Sequence, residues 1–202
     1  MTTPPRPTVV IVPGMRDHVE DHWQTLLAQR LIEGGRTVRT VPPPVENRLF
    51  RDAHVALLDE VIAQTTGPVV LVAHSAGCIT TVQWARWHDA DVRGALLAAP
   101  PDFDTPLPAG YPTPGELKKS GWTPVPRGPL PFPSVVAASS TDPLASLERV
   151  ADLARNWGSR LVELGDVGHL NPASGHGPWP GAEELVEALD HGWCRSAPKP
   201  AP

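Results

Sequence analysis

Cysteine is scarce. The 202 residues hold two, Cys78 and Cys194, with no metal-ligand spacing. A disulfide framework is excluded, and a reducing, cytoplasmic location is expected. Long apolar runs are missing too: no stretch approaches the length of a membrane span. The first seven residues lack a charged start followed by a long apolar core and lead straight into Val9-Val10-Ile11-Val12, so no signal peptide is expected. Positive charge is in deficit, with 17 Lys and Arg against 22 Asp and Glu and a formal net charge of −5. That balance argues against a broad nucleic-acid surface, which needs clustered cations. Internal repeats are absent, and the length suits one domain, expected over residues 1–193 with a disordered tail from Cys194 to Pro202.

What is present is alternation. Strand-like runs at Thr8–Val12, Thr37–Val41, Val69–Ala73, Gly94–Ala98, Ser134–Ser139 and Arg160–Leu164 are separated by helical patterns. Trp23, Leu26, Leu27 and Leu31 share one helical face, as do Val55, Leu58 and Ile62, and then Ile79, Val82 and Ala85. Leu144, Leu147, Val150, Ala154 and Trp157 form a further stripe, and Leu185, Val186 and Leu189 suggest a last helix. Strands that are apolar throughout are buried on both faces. With helices between them they predict a three-layer α/β/α sandwich of about six parallel strands. Ligands in such folds sit beyond the carboxyl ends of the strands, so each catalytic group should follow a strand. Residues 101–133 interrupt the alternation with dense proline and glycine, which disfavour helix and sheet. Their place after the fourth strand predicts a cap-like loop over the site.

The run Val69-Val70-Leu71-Val72-Ala73-His74-Ser75-Ala76-Gly77-Cys78 has the layout of a nucleophile elbow. A buried strand leads into a serine flanked by small residues, and a helix begins immediately after. Such a turn lifts a hydroxyl above the sheet and aims helix N–H groups at developing negative charge. The first position of the usual G-x-S-x-G is Ala73 here, and a plain N-cap role for Ser75 is the alternative.

Ser75 needs a base, an acid and an oxyanion hole. His169 follows the last strand in the glycine-rich run Gly165-Asp166-Val167-Gly168-His169-Leu170-Asn171, which suits a base that must reach across the sheet edge. Asp142 follows the fifth strand in Ser139-Ser140-Thr141-Asp142-Pro143, where an N-cap role is also open. Asp102 and Asp104, after the fourth strand, are its competitors, while Asp166 is too close to His169 in sequence. The oxyanion donors are expected to be the N–H of Ala76 and one from Pro13-Gly14-Met15-Arg16-Asp17, with Met15 first and Arg16 second. A rival chemistry is a metal held by His18 and His22, four residues apart, but the His-Glu-x-x-His form is missing because Val19 follows His18. The triad chemistry needs no cofactor or metal.

Four stretches carry a family resemblance: Val10-Ile11-Val12-Pro13-Gly14 with His22-Trp23-Gln24; His74-Ser75-Ala76-Gly77; Ala138-Ser139-Ser140-Thr141-Asp142-Pro143 continuing to Ala154-Arg155-Asn156-Trp157-Gly158; and Gly168-His169-Leu170-Asn171 with Ser174-Gly175, Gly177 and Trp179-Pro180. In these the chain resembles the small serine hydrolases of the retinoblastoma-binding-protein type, within the α/β-hydrolase superfamily. The resemblance implies a compact sheet without the two leading strands of larger hydrolases. It implies a Ser75, Asp142, His169 triad in the chain order of that superfamily. It also implies esterase- or peptidase-like activity on small-molecule substrates. Gly14, His22, Trp23 and Trp179 become candidate pocket residues, with helix-start packing as the other reading of the last three. A partner-binding protein on a hydrolase scaffold is the competing functional class.

Overall fold

The computed structural model describes residues 6–16 and 19–191. The tail from Cys194 to Pro202 and the pair Asp17 and His18 therefore lie outside the described residues. The strands are β1 (Thr8–Val12), β2 (Val38–Thr40), β3 (Val69–His74), β4 (Val92–Ala98), β5 (Ser134–Ala138) and β6 (Arg160–Glu163). All pair in parallel, in the order β2-β1-β3-β4-β5-β6. The helices are α1 (Trp23–Glu33), α2 (Arg51–Ala63), α3 (Ala76–Trp84), α4 (Pro114–Lys119), α5 (Leu147–Trp157) and α6 (Pro180–Asp190).

Alternate residues of the central strands feed two cores. Val9, Ile11, Val70, Val72, Leu96 and Ala98 meet Trp23, Leu27 and Leu31 of α1 and Ala182, Val186 and Leu189 of α6. Val10, Val12, Leu71, Ala73 and Leu97 meet α2, α3 and α5 on the other face. This period-2 division is the three-layer sandwich expected from apolar runs buried on both sides. The side on which successive strands are added switches after β2, so β1 and β3 lie side by side with their carboxyl ends flanking the crevice where such sheets bind ligands. Gly14 follows β1 and Ser75 follows β3.

The proline-rich segment differs from expectation. It contains α4, and its later half is packed rather than loose: Leu117, Trp122, Val125, Leu130 and Phe132 belong to the α2–α3–α5 core. Helix survives the proline because Pro114 stands in the first turn, where no N–H is required. Thr113 and Glu116 close a capping box around it. The indole N–H of Trp157 donates to the Pro126 carbonyl at 2.9 Å, fastening the segment to α5. The stripe through Leu144 also begins later than expected, because Ser146 caps α5 and leaves Leu144 in the preceding loop.

Candidate active site

Ser75 sits between β3 and α3 with φ 54° and ψ −128°, a left-handed conformation for a residue with a side chain. Such strain costs on the order of 1–3 kcal/mol and persists only where surroundings impose it. Here the Ser75 N–H donates to the Ala98 carbonyl at 3.0 Å, and the Ser75 carbonyl accepts from Cys78 N–H at 2.9 Å. A Cβ on Gly77 would lie 2.3 Å from the Val12 carbonyl oxygen, so only glycine lets α3 start this close to the end of β1. Ala73, at the position usually glycine, is fully buried in the core of β3 and its methyl is accommodated there. The Ser75 hydroxyl makes no capping bond to α3. It faces His169 instead, at 2.9 Å from Nε2.

His169 Nδ1 lies 2.8 Å from Asp142 Oδ2 and 3.0 Å from Oδ1. The Asp142 carboxylate is 1 % exposed, and its Oδ1 also accepts the Leu144 N–H at 2.9 Å. Asp142 is not the N-cap of α5, a place Ser146 takes; its carboxylate instead joins a local turn bond to Leu144 N–H with the contact to the imidazole. The loops carrying Asp142 and His169 are stitched to each other. Ser139 Oγ accepts from the N–H groups of Thr141 and Val167, and Thr141 Oγ1 accepts from Gly168 N–H while donating to Asp166. Beyond the histidine, Leu170 is fully buried in the α1–α6 core and anchors the loop.

Asp102 and Asp104, the competing acids, are engaged elsewhere. Arg149 forks onto Asp102 with Nε at 2.8 Å, and Arg127 reaches Asp104 at 2.6 Å. Burial pushes the Asp102 carboxyl upward, but the bonds from Arg149, the Asp104 N–H and Thr105 outweigh it and hold the group below the usual carboxylate range. Burial drives the Cys78 thiol well up, so it is an inert core residue rather than a nucleophile.

A cavity of about 570 Å³ opens above Ser75. Gly14, Met15, His22, Ser75, Ala76 and His169 line it, and the first half of the proline-rich segment supplies Pro101, Phe103, Leu107 and Tyr111 as its apolar wall. Trp23 and Trp179 are corrections: neither lines the cavity. Trp23 is 1 % exposed within the α1–α6 core, with Trp179 edge-on to it at 4.9 Å between ring centroids. An aromatic beside a helix start serves core and cavity equally well in sequence, and here the core takes both. His22 combines what were alternative readings, lining the cavity while its Nδ1 accepts the Gln24 N–H as N-cap of α1. The possible metal pair is incomplete in description, since His18 lies outside the described residues. Among the described residues no group of three or more His, Cys, Asp or Glu could hold a metal ion.

Two contributors escaped the sequence reading. The buried Gln24 amide donates to the carbonyls of Val12 at 3.3 Å and Val72 at 2.9 Å, joining the ends of β1 and β3 beneath the site. His74 Nε2–H donates to the main-chain carbonyl of His169 at 2.9 Å, and its ring lies 4.7 Å from that of His22 and 4.9 Å from that of His169.

A six-stranded parallel sheet with serine, histidine and aspartate aligned beyond the carboxyl ends of β3, β6 and β5 defines a compact α/β-hydrolase architecture. The comparisons sharpen this. The family model described as "Serine hydrolase" matches residues 9–188, and the chain belongs to that family: it is a serine hydrolase. Among solved structures it is similar to a YdeN-like hydrolase from Pectobacterium atrosepticum, at 26 % identity and TM-score 0.74, with 92 % of each chain covered. It is likewise similar to the ydeN gene product of B. subtilis, at 21 % identity and TM-score 0.69, over 91 % of this chain and 98 % of that one. A hydrolase of the alpha/beta superfamily from Xanthomonas campestris shares the fold at 19 % identity and TM-score 0.58, over 93 % and 96 %. No curated protein matches the chain. No helix among the described residues is long and apolar enough to cross a membrane.

Proposed function

We propose that the protein hydrolyses small carboxylic esters through an acyl-enzyme on Ser75. The observation that carries this is the unbroken Asp142–His169–Ser75 chain, with links of 2.8 and 2.9 Å, beside a cavity lined largely by apolar residues. Ser75 Oγ attacks the ester carbonyl carbon while its proton passes to His169 Nε2. The tetrahedral oxyanion is held by the Ala76 N–H at the start of α3 and by the N–H of Met15. His169 then delivers the proton to the departing alcohol oxygen, and the C–O bond to the alcohol breaks. Water attacks the acyl-enzyme, gives one proton to His169, and the acid leaves as Ser75 recovers that proton. Asp142 holds the imidazole by Nδ1–H and stabilises its cationic form.

Esters are favoured over peptides with a free amino terminus. An aminopeptidase needs a carboxylate for the substrate ammonium, and no carboxylate belongs to a residue described as lining the cavity. The two once available for that task, Asp102 and Asp104, are paired with arginines. Action in the reducing cytoplasm on a small-molecule substrate is part of the same reading, in keeping with the low cysteine count.

The test is a fluorophosphonate probe at neutral pH, with wild type, Ser75→Ala and His169→Ala compared, alongside turnover of p-nitrophenyl acetate. Wild type should label and turn over, and neither variant should. Labelling that survives in Ser75→Ala would name a different nucleophile. Folded wild type that neither labels nor turns over would favour a binding protein on this scaffold.

A further inference from the structure

We infer that the site is built for esters carrying a carboxylate, and that Arg16 recognises that carboxylate. This rests on the reading of Ser75 as the nucleophile and specifies the substrate class. The chain as a whole is acidic, at −5, yet the charged residues described as lining the cavity are Arg16 and Arg48, both cationic. Asp142, in contact with His169 Nδ1, has a carboxylate 1 % exposed and is not among the residues described as lining the cavity. The cavity wall is therefore apolar with a guanidinium on it, which matches a substrate with a short hydrocarbon body and an anionic end.

Arg16 is held in place for this task. It follows Met15 in the loop after β1, and its guanidinium lies 4.3 Å from the centroid of the Tyr111 ring. One amino group donates to the Gly110 carbonyl at 3.4 Å. These contacts fix the guanidinium across the mouth, from the β1–α1 loop to the proline-rich segment. They use one of its five N–H donors and one face. Among the described residues no carboxylate pairs with it. A planar fork already ordered by stacking loses less freedom on binding a carboxylate bidentately than a mobile lysine would. Apolar walls at Leu107, Phe103 and Pro112 exclude water from the body of the ligand.

The probe pair is monomethyl adipate and dimethyl adipate, which differ in one negative charge. Binding is followed by NMR titration of the Ser75→Ala protein, so that no chemistry is required. Ser75→Ala should bind the monoester about tenfold more tightly than the diester. That ratio should shrink toward one in Ser75→Ala/Arg16→Gln, and in Ser75→Ala itself at high salt, where the attraction is screened. Ser75→Ala/Arg93→Gln, which removes an arginine remote from the cavity, should keep the tenfold ratio. Equal binding of the two esters, or a ratio that Arg16→Gln leaves intact, overturns the inference. Failure of the hydrolase reading shows instead as absent fluorophosphonate labelling of wild type, a separate result.

Discussion

The Nε2–H of His74 donates to the backbone carbonyl of His169 at 2.9 Å, so the residue before Ser75 grips the loop that carries His169. The bond is buried, and it ties the main chain of His169 to the end of β3 beside Ser75. Replacing His74 with Phe keeps an aromatic of similar bulk but leaves that carbonyl without this donor. Such an orphaned acceptor costs about 1–3 kcal/mol unless the loop moves. A shift of the base by a fraction of an ångström is enough to lower kcat for p-nitrophenyl acetate about tenfold. His74→Gln, which keeps an N–H donor of similar reach, should recover part of the loss. Equal activity in His74→Phe and wild type would show that the loop is positioned without this bond.

Asp142→Asn separates the two jobs of that side chain. The amide oxygen can still accept the Leu144 N–H, so the local turn and the fold should persist. The anion opposite His169 Nδ1 is lost, and with it the preferred tautomer and the stabilisation of the imidazolium. A fall in kcat of about 10³–10⁴-fold with little change in KM is expected. A stopped assay with matched circular dichroism checks both halves, and loss of less than tenfold would remove Asp142 from the triad.

The layers and the alignment of Ser75, His169 and Asp142 were legible in sequence for the same reason: both depend on where the strands begin and end. Apolar runs such as Val69–Val72 declare buried strands, and Ser75, Asp142 and His169 each follow one. Helix α4 was hidden because proline and glycine density argued against it, although Thr113, Pro114 and Glu116 spell a capping box when read singly. Trp23 and Trp179 could not be assigned, since periodicity shows that a face is buried but not whether core or cavity covers it. His74 and Gln24 fall within the stretches that carry the family resemblance, but nothing in the sequence pointed to what they bond. Their partners are backbone carbonyls of distant segments, and a carbonyl carries no side-chain pattern to match.

Gly77 should be the least replaceable small residue of the elbow. An added methyl at Gly77→Ala would meet the Val12 carbonyl oxygen at 2.3 Å and that of Pro13 at 2.6 Å, both backbone atoms with little room to retreat. Separating α3 from β1 would displace the Ala76 N–H together with Ser75. Destabilisation of about 3 kcal/mol and loss of fluorophosphonate labelling are expected. Ala73→Gly should cost only about 1 kcal/mol, because it removes one buried methyl from a strand and touches no hydrogen bond. Urea midpoints of the two variants settle the contrast, which fails if they are equal.

Asp102 should make the cavity wall acid-sensitive. Its N–H donates to the Leu144 carbonyl at 3.0 Å, and its carboxylate ties the start of the proline-rich segment to Arg149 of α5. Desolvation alone would raise its pKa, but the bonds from Arg149, Asp104 N–H and Thr105 prevail and the folded value lies below the unfolded one. A group depressed on folding stabilises the protein above its unfolded pKa, about 4, and that contribution disappears as pH falls through the lower folded value. Wild-type unfolding free energy should therefore decline below about pH 4 more steeply than that of Asp102→Asn. At pH 7 the variant should be the weaker of the two by about 2 kcal/mol, since Arg149 loses a charged partner while the buried amide keeps some hydrogen bonds. The two stability curves should approach each other in acid. Parallel curves from pH 7 down to pH 3 would mean that the Asp102–Arg149 pair contributes no pH-dependent stability, and that Pro101 and Phe103 are held on the cavity wall by apolar packing alone.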